Sequence, residues 1–201
     1  MFTGLIESVG RVDAVEPVPS GRRIVIRTAF APELQLGESV AVNGVCLTVT
    51  ARTGDTFAAD VGPETLRVTT LGDVSAGRAV NLERSMRADG RFGGHLVQGH
   101  VDGVGTVEEV RADGESHWLT IGFAAEHGAM LVPKGSVAVD GVSLTVAGLE
   151  GARLRIMLIP FTWSHTSLSA LRPGDRVNLE FDMVGKYVAR AVELFGQTGT
   201  R

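Results

Sequence analysis

A chain of 201 residues with a formal charge of -4 and a pI near 5.7 offers no basic field to nucleic acid, and no Lys/Arg stripe with interleaved aromatics departs from that balance. Its single cysteine, Cys46, excludes disulfide staples and thiolate metal clusters and fits a reducing compartment. MFTGLIESVG has no positive lead and carries Glu7 too early for a signal peptide, and no apolar run reaches bilayer length, so the chain reads as soluble and cytoplasmic, without a membrane partner.

Short apolar runs of period two, broken by glycines, dominate. In the first half they predict strands over residues 5–15, 22–28, 39–42, 45–51, 56–60 and 78–84, with a helical turn over 63–70. The segment RADGRFGGH, residues 87–95, reads as a linker. The second half repeats the strand pattern over 100–110, 117–123, 136–139, 142–148, 153–159 and 176–182, with a turn over 162–170. Beyond Asp182 the period changes: Val184, Val188, Ala191 and Phe195 recur at helical spacing, with Lys186, Arg190 and Glu193 between them. Its apolar face either docks on its own barrel or packs against the same helix from other subunits, the second being the preferred reading.

The halves are copies. SVAVNGVCLTV at 39–49 returns as SVAVDGVSLTV at 136–146 with nine of eleven positions identical, and 65–83 aligns at the same offset with 162–180, both closing on Val-Asn-Leu-Glu. Six short strands per copy and no alternating helices predict an all-β chain of two tandem six-stranded, closed or nearly closed antiparallel barrels with a C-terminal α-helix. The expected division is 1–96, including the linker, then 97–183, then the helix 184–201.

Asn43-Gly44 and Asp140-Gly141 suit two-residue type I′ hairpins, so turn geometry accounts for part of the repeat. In the outgoing strands Val45, Leu47 and Val49 oppose Cys46 and Thr48, and Val142, Leu144 and Val146 oppose Ser143 and Thr145. Each module thus shows a small polar face, either plainly solvated or open to a flat ligand. No Gly-x-Ser-x-Gly elbow, phosphate loop or His-Glu-x-x-His occurs, and no histidine stands at zinc spacing with cysteines. No metal is called for.

MFTGLIE, SVAVNGVCLTV, ETLRVTTLGD, VNLERSM, GGHLVQGHVDGVG, KGSVAVDGVSLTV and VNLEFD, in this order across nearly the whole chain, resemble the riboflavin synthases of the alpha, two-barrel type. The resemblance implies a homotrimer of twin Greek-key barrels joined through the C-terminal helix. It implies conversion of two 6,7-dimethyl-8-ribityllumazine molecules into riboflavin and 5-amino-6-ribitylamino-uracil without a cofactor. Association with a lumazine synthase is left open. In the family the working pair of pockets comes from the first barrel of one subunit and the second barrel of its neighbour.

The resemblance carries Phe2, Thr3, Gly4, Ser39, Cys46 and Thr48 into the first pocket and His100, Lys134, Ser143, Thr145, Thr162 and Asp182 into the second. Identical substrates must behave differently, so residues that break the repeat are informative: Cys46 against Ser143, His100 against Leu5, Lys134 against Gly37, and Asp182 against Ser85. His100 is the first choice for proton movement, since a free imidazole titrates near neutrality. Ser143 and Thr145 suit the ring edge or an attacking hydroxyl. Asp182 either binds ribityl hydroxyls, orients a base or only caps a helix; Cys46 is pocket lining rather than an obligatory nucleophile; Lys134 is a ligand contact or a turn lysine. Phe161 to Ser167 departs from the family, with Trp163 and His165 either reshaping the pocket wall or filling space. Lumazine-binding antenna proteins, which hold the chromophore without turning it over, and a purely structural or flavin-carrying barrel pair are the competing classes.

Overall fold

The protein, described here from a computed structural model covering residues 1–198, folds as two closed six-stranded antiparallel barrels. The first is built from β1 (Ser8–Val18), β2 (Gly21–Arg27), β3 (Ser39–Val42), β4 (Val45–Thr53), β5 (Thr56–Val61) and β6 (Ala79–Arg84), in the closed order β1-β2-β5-β4-β3-β6. The second is built from β7 (Gly103–Asp113), β8 (Ser116–Gly122), β9 (Ser136–Val139), β10 (Val142–Glu150), β11 (Arg153–Leu158) and β12 (Arg176–Phe181) in the corresponding order. Short helices α1 (Pro63–Val68) and α2 (Pro160–His165), each followed by a 3₁₀ turn, cover equivalent positions, and α3 (Met183–Thr198) follows the second barrel. Residues 199–201 of the expected helix lie outside the described residues. Among the described residues no helix is long and apolar enough to cross a membrane.

Each barrel closes around its own core, with Val12, Ile24, Ile26, Val40 and Leu82 inside the first and Val107, Leu119, Ile121, Val137 and Leu179 inside the second. Closure of so small a barrel demands sharp bends, and the bends repeat: β-bulges fall at Val12/Ala14 and Val49/Ala51, then at Val107/Glu109 and Val146/Gly148.

The expected first strands begin late, at Ser8 and Gly103 rather than at Leu5 and His100. Side-chain carboxylates capture the preceding backbone N–H groups and hold those residues as loops, so His100 lies in a loop. The hairpin turns have the expected left-handed geometry, with φ of 45° and 77° at Asn43 and Gly44 and of 44° and 79° at Asp140 and Gly141.

Turn geometry is the smaller part of what these residues do. The hairpins meet tip to tip, and a Cβ at Gly44 would stand 2.8 Å from the Gly141 nitrogen, so only glycine fits there. Asn43 Oδ1 accepts the Asn81 N–H at 2.7 Å and Asp140 Oδ1 accepts the Asn178 N–H at 2.8 Å, each within its own barrel. The asparagine amides then cross the seam: Asn81 Nδ2 donates to the Asp140 carbonyl at 3.0 Å, and Asn178 Nδ2 donates to the Asn43 carbonyl at 2.8 Å. Their carbonyl oxygens accept the Ser167 and Thr70 N–H groups, again across the seam, at 2.7 and 2.8 Å. The repeated Val-Asn-Leu-Glu therefore places one asparagine per barrel as a reciprocal dock, and each of the four buried residues takes part in it through at least one side-chain hydrogen bond.

Asp140 breaks this quartet chemically. Burial pushes its carboxyl up to about 7, against the pull of the Asn178 N–H and the Arg78 charge, with the Asp175 charge adding to the rise. Because the folded value exceeds the unfolded one, the protonated group's contribution is complete below the ordinary aspartate range and is lost as pH rises through about 7. Asp140→Asn, which copies Asn43, is expected to raise Tm by several degrees near pH 8 and hardly at all near pH 4. Equal shifts at both pH values in a thermal melt would contradict the assignment.

Candidate active site

Outside the barrel walls, β4 and β10 present the small polar faces. Val45, Leu47 and Val49 enter the first core while Cys46 is half-buried and Thr48 exposed; Val142, Leu144 and Val146 enter the second while Ser143 is half-buried and Thr145 exposed. Ser39 stands opposite Thr48 in the β3–β4 ladder, as Ser136 stands opposite Thr145 in β9–β10.

The loops before β1 and β7 complete these faces, and they do so crosswise. Phe2 and Val97 form an antiparallel bridge, with Phe2 N–H to Val97 O at 2.7 Å and Val97 N–H to Phe2 O at 3.2 Å. From there the Gly4 carbonyl accepts the Ser143 N–H at 2.8 Å, while the Gly99 carbonyl accepts the Cys46 N–H at 2.9 Å. Both glycines are left-handed, at φ 76° and 81°, and a Cβ on either would lie 2.6 or 2.5 Å from the Cβ of Ser143 or Cys46. Thr3 and Gly4 thus border the polar face of the second barrel, and the loop carrying His100 borders that of the first. The grouping by resemblance had set Thr3 with Cys46 and His100 with Ser143.

Symmetry ends at His95. Its Nδ1 stands 2.7 Å from Ser143 Oγ, its backbone N–H donates to the Thr3 carbonyl at 3.2 Å, and it is 6% exposed. Burial pushes its imidazole below the ordinary histidine value, and the nearby Asp182 charge opposes that. His95 Nε2 is buried with no hydrogen-bond partner. Among the described residues no histidine hydrogen-bonds the half-buried Cys46. Reading 87–95 as linker hid His95; the available signal was that it follows a Gly-Gly step directly before the second module.

The remaining candidates fall around the second face. Asp182 Oδ1 accepts the Val184 N–H at 3.0 Å and so caps α3, while its charge also acts on His95. Lys134 is exposed and left-handed at φ 67°, where the first copy has Gly37 at φ 85°. Such a conformation costs a lysine about 1–3 kcal/mol. Thr162, half-buried in α2, accepts the Thr166 hydroxyl at its carbonyl at 2.7 Å. Trp163 stacks on His117 with centroids 3.8 Å apart and packs against the second core. His165 stacks on the exposed ring of Phe161 at 4.0 Å.

The polar faces are open rather than enclosed. Clefts of about 640 Å3, beside Thr106, Glu108 and Arg153, and of about 550 Å3, beside Thr3, Glu83 and Ser85, are lined by neither Cys46 nor Ser143.

The first turn of α3 docks on its own barrel: Lys186 pairs with Asp102 at 2.6 Å, and Gly185 passes so near Met130 that a Cβ would lie 2.6 Å from its carbonyl oxygen. Further along, Tyr187, Val188 and Val192 remain 72%, 57% and 66% exposed.

Residues 3–85 and 98–182 each match the lumazine binding domain. The chain is 44% identical over 204 residues to the riboflavin synthase of Mycobacterium tuberculosis, covering 98% of this chain and 100% of that relative. It is 41% identical over 202 residues to the riboflavin synthase of Bacillus subtilis, covering 100% and 94%. In fold it matches LumP complexed with 6,7-dimethyl-8-(1'-D-ribityl) lumazine, with a TM-score of 0.82 at 22% identity over 90% of this chain and 99% of that one. With two matched domains and full-length relatives of that identity, the chain belongs to the riboflavin synthase family.

Proposed function

We propose that the chain performs its family's reaction through two unlike half-sites contributed by different subunits of a cytoplasmic homotrimer. The reaction is the dismutation of two 6,7-dimethyl-8-ribityllumazine molecules into riboflavin and 5-amino-6-ribitylamino-uracil, in riboflavin biosynthesis. A four-carbon unit passes between identical molecules. The two products together hold all the atoms of two substrates, so no added oxidant or cofactor enters the balance.

One observation carries the reading: the polar strands are copies in backbone and unlike in chemistry. Ser143 is paired with a buried histidine, whereas among the described residues no histidine hydrogen-bonds Cys46. In the second half-site the His95–Ser143 pair moves protons, since a neutral imidazole within hydrogen-bond distance of a hydroxyl can take its proton or return one. Thr145, Lys134 and Asp182 surround that substrate. Ser39, Cys46, Thr48 and the loop of His100 bind the other, whose chemistry is complementary. Holding both rings face to face removes a bimolecular entropy cost worth up to about 7–11 kcal/mol.

Pairing between subunits is supported by what fills the ground between the polar strands of one chain. Phe2 and Val97, 0% and 1% exposed, pack there with Ala41 and Ala138 against Cys46 and leave no slot for two stacked rings. The exposed apolar side of α3, with Tyr187, Val188 and Val192, supports a trimer contact.

Purified protein given the dimethyl lumazine alone tests the reading. One riboflavin formed per two lumazines consumed is expected; bound, fluorescent lumazine with no product would mean an antenna protein instead.

A further inference from the structure

Two buried carboxylates have no part in the proton chemistry above. Glu83 and Glu180 close the repeated Val-Asn-Leu-Glu and are 5% and 3% exposed. Glu180 accepts the Gln98 N–H at Oε1, at 2.6 Å, and the Gly99 and His100 N–H groups at Oε2, at 2.9 and 3.0 Å. Glu83 accepts the Thr3 N–H and hydroxyl at Oε1, both at 2.7 Å, and the Gly4 N–H at Oε2, at 2.9 Å. Burial pushes both carboxyls up and the donated N–H groups draw them back. Burying a carboxylate is costly unless its oxygens are satisfied, and here each satisfies itself on a single loop. Their neighbours Leu82 and Leu179 point into the cores and fix the strands from which both glutamates project.

What each loop does next gives the carboxylates a role beyond anchoring. The Glu180 loop hands its Gly99 carbonyl to Cys46 of the first barrel, and the Glu83 loop hands its Gly4 carbonyl to Ser143 of the second. A continuous run of short contacts therefore leads from each carboxylate to the polar face of the opposite barrel. Resting on the half-site reading above, we propose that Glu180 and Glu83 are positioning residues. Each aligns the half-site of the barrel opposite its own: Glu180 through Gly99 on Cys46 and the His100 loop, and Glu83 through Gly4 on Thr3 and Ser143. Each half-site is then assembled by both barrels, which gives the tight reciprocal docking of the seam a use in the reaction.

Because Cys46 is the only thiol, its alkylation by iodoacetamide reports on the Glu180 loop and not on the Glu83 loop. In Glu180→Gln the new amide nitrogen cannot accept an N–H, so the loop loosens. Alkylation of Cys46 should accelerate several-fold, and kcat should fall about a hundredfold with KM little changed, as expected of a misplaced catalytic geometry. Glu83→Gln should show a similar loss of kcat with Cys46 alkylated at the wild-type rate. Gly99→Ala leaves both carboxylates in place and forces a Cβ to 2.5 Å from that of Cys46, so it should reproduce the Glu180→Gln pattern should that variant fold poorly. Faster alkylation in both glutamine variants together with lowered Tm would reduce the carboxylates to general stabilisers and overturn the proposal. Wild-type alkylation and turnover in Glu180→Gln would overturn it as well. A wild-type protein without turnover would instead sink the half-site reading, while the alkylation comparison would still decide the coupling.

Discussion

His95→Asn is expected to lower kcat by about two to four orders of magnitude while lumazine affinity changes only a few-fold, because the variant keeps a polar side chain near Ser143 and loses the group that exchanges its proton. The pH profile gives a second readout. Burial holds the His95 imidazole below the ordinary histidine value, so the acid limb of kcat should lie below the usual imidazole range. The Asp182 charge opposes that shift, so Asp182→Asn should carry the limb lower still. Stability follows the same sign: the folded state binds fewer protons at His95 than the unfolded chain, so its contribution weakens as pH falls below the unfolded imidazole value. The Asp140 contribution runs the other way, fading as pH rises through about 7. Equal losses of kcat and affinity in His95→Asn would leave His95 a binding group only, and an acid limb in the ordinary range would assign the titration elsewhere.

Placing charge on the outer side of α3 is expected to separate the subunits. Tyr187 and Val188 are exposed apolar residues on a helix whose first turn is pinned through Lys186 and Gly185. Tyr187→Glu combined with Val188→Glu should therefore leave both barrels folded by far-ultraviolet circular dichroism while sedimentation shows monomers. Most of the activity, roughly ten- to a hundredfold or more, should be lost, because each monomer retains two half-sites with no partner to face. Monomers with full turnover would place the reacting pair inside one chain.

Much of the architecture is readable along the chain. The duplication, the twelve strands and the inward sets Val45, Leu47, Val49 and Val142, Leu144, Val146 follow from period-two patterning, since a barrel wall that is apolar inside and polar outside imposes that alternation. Strand starts were misplaced at Leu5 and His100 because the carboxylates that divert those segments into loops come some eighty residues later in the chain. The Asn-Gly and Asp-Gly steps announce a turn, yet nothing local tells that Asn43 and Asp140 also accept a strand N–H or that the two tips touch. His95 lay hidden for a related reason: glycines and charges mark a linker, and its burial depends on the Thr3 carbonyl and the Ser143 hydroxyl arriving from elsewhere. Residues that kept the repeat, Asn81 and Asn178 among them, lie at the seam.

The account's central claim is that two unlike half-sites, one from each of two subunits, act on one pair of lumazines. Co-expression of Thr48→Arg and Thr145→Arg tests it most directly, because both positions are exposed and each arginine blocks one kind of half-site. Each variant alone should be inactive. With equal expression and random assembly, an intact first barrel on one subunit meets an intact second barrel on its neighbour at about a third of the interfaces of each mixed trimer and about a quarter of all interfaces, so about a quarter of wild-type activity should return. A mixture as inactive as its components, with mixed trimers demonstrated by mass, would contradict the claim.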